Sequence, residues 1–186
     1  MNRLDTVLTA IDAANAADPD HSEGAPAALL YGQRMTEELA RLHPDAPEIL
    51  KIAARGQHIE RWTSPRSAYP EGREGYLSWR RDLGAFHPRR VGEIMAAAGY
   101  DADSVDQVGR MIRKEGIKRD DLVQALEDVI CFTFLRWYFT PFATDRDPAE
   151  LERIVTKTAR KMSAEARARA LSEFDLPDPF AAAFRA

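Results

Sequence analysis

The sequence predicts an all-α protein, a single-domain compact helical bundle, on three observations. Apolar residues recur at three- and four-residue intervals along most of the 186 positions. Breaks in that pattern fall at Pro, Gly and Asp clusters of the kind that start and stop helices. No alternating run joined by a turn dipeptide signals a hairpin. The length suits one well-buried core, so residues 1–186 are read as one helical domain, with 176–186 as a loose C-terminal tail.

The elements follow in order. In "DTVLTAIDAANAA", Val7, Leu8, Ile11 and Ala14 keep helical spacing until the turn-rich "DPDHSEGAP" stops them. "PAALLYGQRMTEELARL" opens with Pro26 in its first turn and ends at "HPDAP", where Asp45 is expected to cap a third helix, "PEILKIAARGQHIERW". "TSPRSAYPEGREG" interrupts the pattern. From Gly72 it resumes and runs to Gly99, an expected left-handed stop, with Pro88 as a place to kink or divide the helix. "DSVDQVGRMIRKEG" turns Val105, Val108, Met111 and Ile112 inward and stops at Gly116. "LVQALEDVICFTFLRWYF" is apolar on nearly every side in its second half, the profile of a central helix. "DPAELERIVTKTARKM", capped by Asp147 with Pro148 first, and "SAEARARALSEF" complete the set.

Composition excludes several classes. With 45% hydrophobic and 30% charged residues the chain is globular rather than disordered. No apolar run approaches the roughly 20 residues of a membrane helix, and the start lacks a basic segment leading into an apolar one. A soluble, cytoplasmic protein without membrane contact is expected. Cys131, the one cysteine, cannot form an internal disulfide and reads as a buried thiol. The net charge of −4 conceals a division: from Lys51 to Arg90 nine Lys or Arg face four Asp or Glu, so this segment carries +5 and the remainder −9. Such a mild basic stretch is weak support for nucleic acid. A small anionic or phosphorylated ligand fits it better.

Chemistry concentrates in two places. Glu127 and Asp128 are adjacent acids on the apolar helix. Glu127 shares a face with Val123, Ile130 and Cys131, and Asp128 with Gln124, Cys131, Phe132 and Leu135. Neither can point far from apolar neighbours. A desolvated carboxylate must be protonated, paired with a cation or bound to metal, and a structural ion pair with an arginine answers this as well as a functional site does. The second place is "AARGQHIERWTSPR", where His58 on the third helix is accompanied by Gln57, Glu60 and arginines. His87 in "GAFHPRR" repeats the theme; either histidine also suits a plain helix surface. Arg55, Arg61, Arg66 and Arg73 are the candidates for neutralising an anion, each with a structural ion pair as its duller role. Trp62, just before "TSPR", is placed to line a pocket mouth.

The strings "LLYGQRMTEELARLHPDAPEILKIAARGQHIERW", "YPEGREGYLSWRRDLGAFH", "IMAAAGYDADSVDQVGRMIRKEGIKRDDLVQALEDV" and "KTARKMS" resemble, over nearly the whole chain, a family of uncharacterised bacterial and fungal proteins known as a domain of unknown function. That resemblance implies no activity. The helix layout also resembles, distantly, the HD superfamily of metal-dependent phosphohydrolases, so that the bundle is read as HD-domain-like. By that resemblance His58, His87 and Asp128 fall at ligand positions. Two ligands are altered: Tyr31, or Gln33, stands where a first histidine belongs, and Ile59 follows His58 where the His-Asp pair requires aspartate. Glu60 is one residue late, about 100° around a helix.

With those two ligands altered, one divalent metal, zinc, manganese or iron, is expected on His58, His87 and one acid from Glu127 or Asp128, of which Asp128 is the position that the resemblance implies. Glu60 or Glu127 would take a proton from its water, and Arg55, Arg61, Arg66, Arg73, Trp62 and Tyr31 would hold the substrate. The expected function is a metal-dependent phosphohydrolase acting on a nucleotide or other small phosphorylated metabolite. The alternative is a non-catalytic helical module that binds an anionic metabolite or a partner protein through the degenerate pocket. On both, His58, Glu60, His87 and the Glu127–Asp128 pair are expected to meet in one cavity.

Overall fold

The structure, a computed structural model, describes residues 2–185. Among them helices supply all the regular structure, as the periodicity predicts. The chain forms two compact units, one ending at Glu115 and the other beginning at Gly116.

The first unit contains α1 (Arg3–Asn15), α2 (Ala27–Leu42), α3 (Glu48–Gly56), α4 (Gly72–Ala97) and α5 (Ala102–Arg113). Asn2 accepts a hydrogen bond from the Asp5 amide at the start of α1, and Asp101 accepts one from the Ser104 amide at the start of α5, each satisfying a donor that the helix itself leaves open. Val7, Ile11, Met35, Ile52, Val91 and Met95 are fully buried and form the centre of the core. Gly56, the last residue of α3, is what allows the approach there. A Cβ on it would stand 2.6 Å from Val91 Cγ2 of α4 and 3.4 Å from Ile11 Cδ1 of α1.

The second unit contains α6 (Asp121–Thr133), a single π-helical turn (Phe134–Tyr138), α7 (Phe139–Ala143), α8 (Pro148–Lys161), α9 (Ala164–Glu173) and α10 (Asp178–Arg185). α6 buries residues all around its circumference, from Val123 and Leu126 to Glu127 and Phe132, as an apolar central helix should. Cys131 is a buried thiol outside any disulfide. Asp147 caps α8 by accepting from the Ala149 and Glu150 amides, with Pro148 first in the helix, as expected.

Several boundaries differ from expectation. The third helix does not reach Trp62: it ends at Gly56, and the chain continues through turns to a 3-10 turn at Arg61–Thr63. Asp45 does not cap it; Pro47 occupies the N-cap without a side-chain bond. Pro88 does not divide α4, which is continuous through it. α5 is stopped by Lys114, in the left-handed conformation at φ 63°, two residues before Gly116. Residues 178–185, read as a loose tail, form α10 because Ala181 and Phe184 are buried; Ala186 lies outside the described residues.

Gly56→Ala should lower the unfolding free energy by about 1–3 kcal/mol, the range for overpacking a rigid contact. Gly84→Ala, also in a helix but with nothing within 4 Å of the added Cβ, should instead raise it by up to about 1 kcal/mol. Urea unfolding of both variants checks the pair.

Candidate functional site

Between α3 and α4 the chain reverses through Gln57–Glu60. Glu60 adopts the left-handed conformation, φ 50°, which costs about a kilocalorie or more for a residue with a Cβ. The compensation is visible. Asn15, 1% exposed at the end of α1, accepts the Glu60 amide proton at 2.9 Å, and Arg90 Nε of α4 donates to the Glu60 carboxylate at 2.7 Å. This clasp fixes the two residues before Glu60 and the arginine after it.

Ile59 points into the core and is fully buried, while its carbonyl accepts a hydrogen bond from His87 Nδ1 at 2.8 Å. A carbonyl can only accept, so His87 carries its proton on Nδ1 and leaves a bare lone pair on Nε2. That Nε2 is buried and has no hydrogen-bond partner among the described residues. The neighbouring ring is His58, with centroids 5.8 Å apart, and on its other side Tyr31 stacks at 4.4 Å and 21°. The Tyr31 hydroxyl donates to the buried Gln57 side chain at 2.6 Å. Arg61 donates through Nη1 to His58 Nε2 at 2.9 Å, which assigns the His58 proton to Nδ1.

The electrostatics of this cluster are one-sided. Burial, followed by the charges of Arg61, His87, Lys114 and Arg80, holds His58 well below the ordinary imidazole range. Burial likewise holds His87 at about 4 against the pull of the Ile59 carbonyl, with Arg61 and Arg80 adding to the effect. Arg61 is itself depressed, by burial first and by Arg80 second. Its guanidinium sits 4.7 Å over the Trp79 ring, and among the described residues neither Arg61 nor Arg80 has a carboxylate partner. The cluster is therefore a set of cations around two neutral imidazoles.

Of the residues singled out from the sequence, Tyr31, His58, Arg61 and His87 come together. The others serve elsewhere. Arg55 forms a fork with Asp12, 2.6 Å at both nitrogens, and also reaches Thr36 Oγ1. Arg66 donates to the carbonyls of Tyr69, Pro70 and Gly72 and fastens the loop before α4. Arg73 lies in an exposed surface hollow with Glu74, Leu77, Ser78 and Arg81. Trp62 is partly buried, and its Nε1 has no hydrogen-bond partner among the described residues. Glu60 is engaged by Arg90.

Glu127 and Asp128 belong to the second unit and are used within it. Glu127, 1% exposed, pairs with Lys161 at 3.5 Å. Asp128 Oδ1 accepts from the Gln124 side chain at 2.9 Å and from the Ser163 amide at 2.8 Å, tying α6 to the start of α9. Among the described residues no three His, Cys, Asp or Glu side chains gather as metal ligands. The donors present do not fit the metal that the HD resemblance implies: Asp128 is committed to Gln124 and Ser163, Tyr31 stands for a histidine, and His58 Nε2 already accepts from Arg61.

Two residues of the cluster, Arg80 and Lys114, were not singled out. For Arg80 a signal existed. It precedes His87 by two helical turns, with Gly84 between them on the same face. Lys114 had none, since its place depends on where α5 ends.

The described residues make an all-helical protein in which two buried imidazoles, a tyrosine and Arg61 cluster in the first unit. Residues 5–183 match the family model described as Domain of unknown function (DUF4202), and the chain belongs to that family. No curated protein and no solved structure matches it.

Two predictions follow from the site geometry. An imidazole held near 4 in the folded chain and near 6.5 in the unfolded one is protonated first in the unfolded state, so stability falls as the pH falls. His87 should cost roughly 3 kcal/mol between about pH 6.5 and pH 4, with His58 acting in the same direction. Urea midpoints measured across that interval should drop, and His87→Asn should flatten part of the slope. For Asp128, replacement by Ala should remove about 1–3 kcal/mol, whereas Asn, which keeps the accepting oxygen, should lose much less. Equal losses would rule out its tie to Ser163.

Proposed function

We propose that the protein binds a small phosphorylated or inorganic phosphoanion at the cluster of Tyr31, His58, Arg61, Arg80, His87 and Lys114. One observation carries this reading: Arg61, 2.9 Å from His58 Nε2 and stacked over Trp79, stands beside two buried, adjacent imidazoles without a carboxylate partner among the described residues. Holding Arg61 and Arg80 near one another without a carboxylate partner among the described residues is unfavourable in an isolated chain, and an anion reverses the sign of the balance. The His58 Nδ1–H makes no hydrogen bond among the described residues and adds a neutral donor. Gly84 supplies room, because the space where its Cβ would stand is empty out to 4 Å.

This reading favours the binding module over the hydrolase. A metal-assisted hydrolysis needs an acid beside the imidazoles to complete a ligand set or to take a proton from water. Glu60 holds Arg90 instead. The two readings share a ligand class and differ in what happens to the ligand once bound.

Isothermal titration with inorganic phosphate and pyrophosphate tests the proposal. Arg61→Ala and Arg80→Ala should each weaken binding about tenfold or more, the size of a lost charged hydrogen bond. Arg73→Ala, in its separate hollow, should leave it unchanged. Unaltered affinity in both cluster variants would overturn the assignment.

A further inference from the structure

We infer that His87 makes the site selective for a phosphoryl group that still carries a proton, with its Nε2 accepting the P–O–H hydrogen. This deepens the binding reading above and rests on it. Arg61, Arg80 and the His58 Nδ1–H are all donors, suited to the bare oxygens of an oxyanion. The single exception is His87 Nε2. Its tautomer is fixed by the bond from Nδ1 to the Ile59 carbonyl, so it can only accept. It is buried, in a residue 4% exposed, and no group among the described residues donates to it.

A buried acceptor without a donor is rare in native chains and costs free energy until one is supplied. A fully ionised oxyanion cannot supply it: its oxygens and the imidazole lone pair would repel. Hydrogen phosphate can, since it presents three accepting oxygens and one hydroxyl, the same division of roles that the cluster presents in reverse. Sulfate has nearly the same shape, and at mildly alkaline pH the same charge, but no proton. The site should therefore separate two ions that charge and size alone do not distinguish.

The test is a paired titration of the intact protein with sodium phosphate and sodium sulfate at mildly alkaline pH and constant ionic strength. Phosphate should bind about tenfold more tightly than sulfate or better, the worth of one hydrogen bond made against one acceptor left bare. In His87→Asn the amide N–H can still serve the Ile59 carbonyl while the accepting nitrogen is lost, and the preference should collapse toward parity. Equal binding of the two ions by the unaltered protein would overturn the role of His87 and leave the anion site standing. If neither ion binds, both readings fall together. Persistence of the preference in His87→Asn would place the selectivity elsewhere and reject the inference.

Discussion

The peptide between Ile59 and Glu60 is pinned from three sides, and the arrangement of the site depends on that. Asn15 holds the Glu60 amide, Arg90 holds its carboxylate, and His87 holds the Ile59 carbonyl. These groups come from α1 and from two successive turns of α4, so the first unit must be assembled before the left-handed bend at Glu60 is stabilised. Once bent, the chain turns Ile59 into the core, sets His58 against Tyr31 and places Arg61 over Trp79. The geometry of the proposed site and the packing around it thus share the same few hydrogen bonds. Loosening the bend would release His58, Arg61 and the tautomer of His87 at once.

The helices were legible because their signals are local. Periodicity placed most of them, and Asp147 with Pro148 gave the start of α8 to the residue. The end of α3 was not, for a physical reason. "RGQHIERW" keeps helical spacing, and nothing within it announces that a glutamate will take φ 50°. The stabilising partners lie 45 positions earlier at Asn15 and 30 later at Arg90. With the helix continued to Trp62, His58 and Arg61 seemed to be neighbours on one helical face; in the structure they are neighbours across a turn, and the hydrogen bond between them is correspondingly direct.

The acids show the complementary failure. Their burial on α6 was readable from apolar neighbours on every side. What satisfies them was not, because Lys161 and Ser163 stand more than thirty residues downstream. The sequence reading gathered His58, Glu60, His87 and the Glu127–Asp128 pair into one cavity, since each needed a partner and the pairs were unknown. The structure gives each of them its own partners. In the second unit the carboxylates find a cation and an amide. In the first the imidazoles find cations. The match to the family model, residues 5–183, crosses the division at Glu115 and includes both arrangements.

That separation by sign gives the first unit its chemical character. An imidazole beside a carboxylate is drawn toward protonation and becomes a donor or an acid. Beside guanidinium groups, and partly dry, it stays neutral and keeps a lone pair. His58 spends its lone pair on Arg61, restraining that guanidinium without neutralising it. His87 cannot do the same, because its donor edge is committed to backbone and its accepting edge meets no N–H or O–H among the described residues. Arg61 therefore keeps its charge, and one acceptor beside it has no donor among the described residues. A carboxylate introduced there would pair with Arg61 and draw both imidazoles toward protonation; among the described residues Arg61 and Arg80 have no such partner, and that is what the proposed anion would supply.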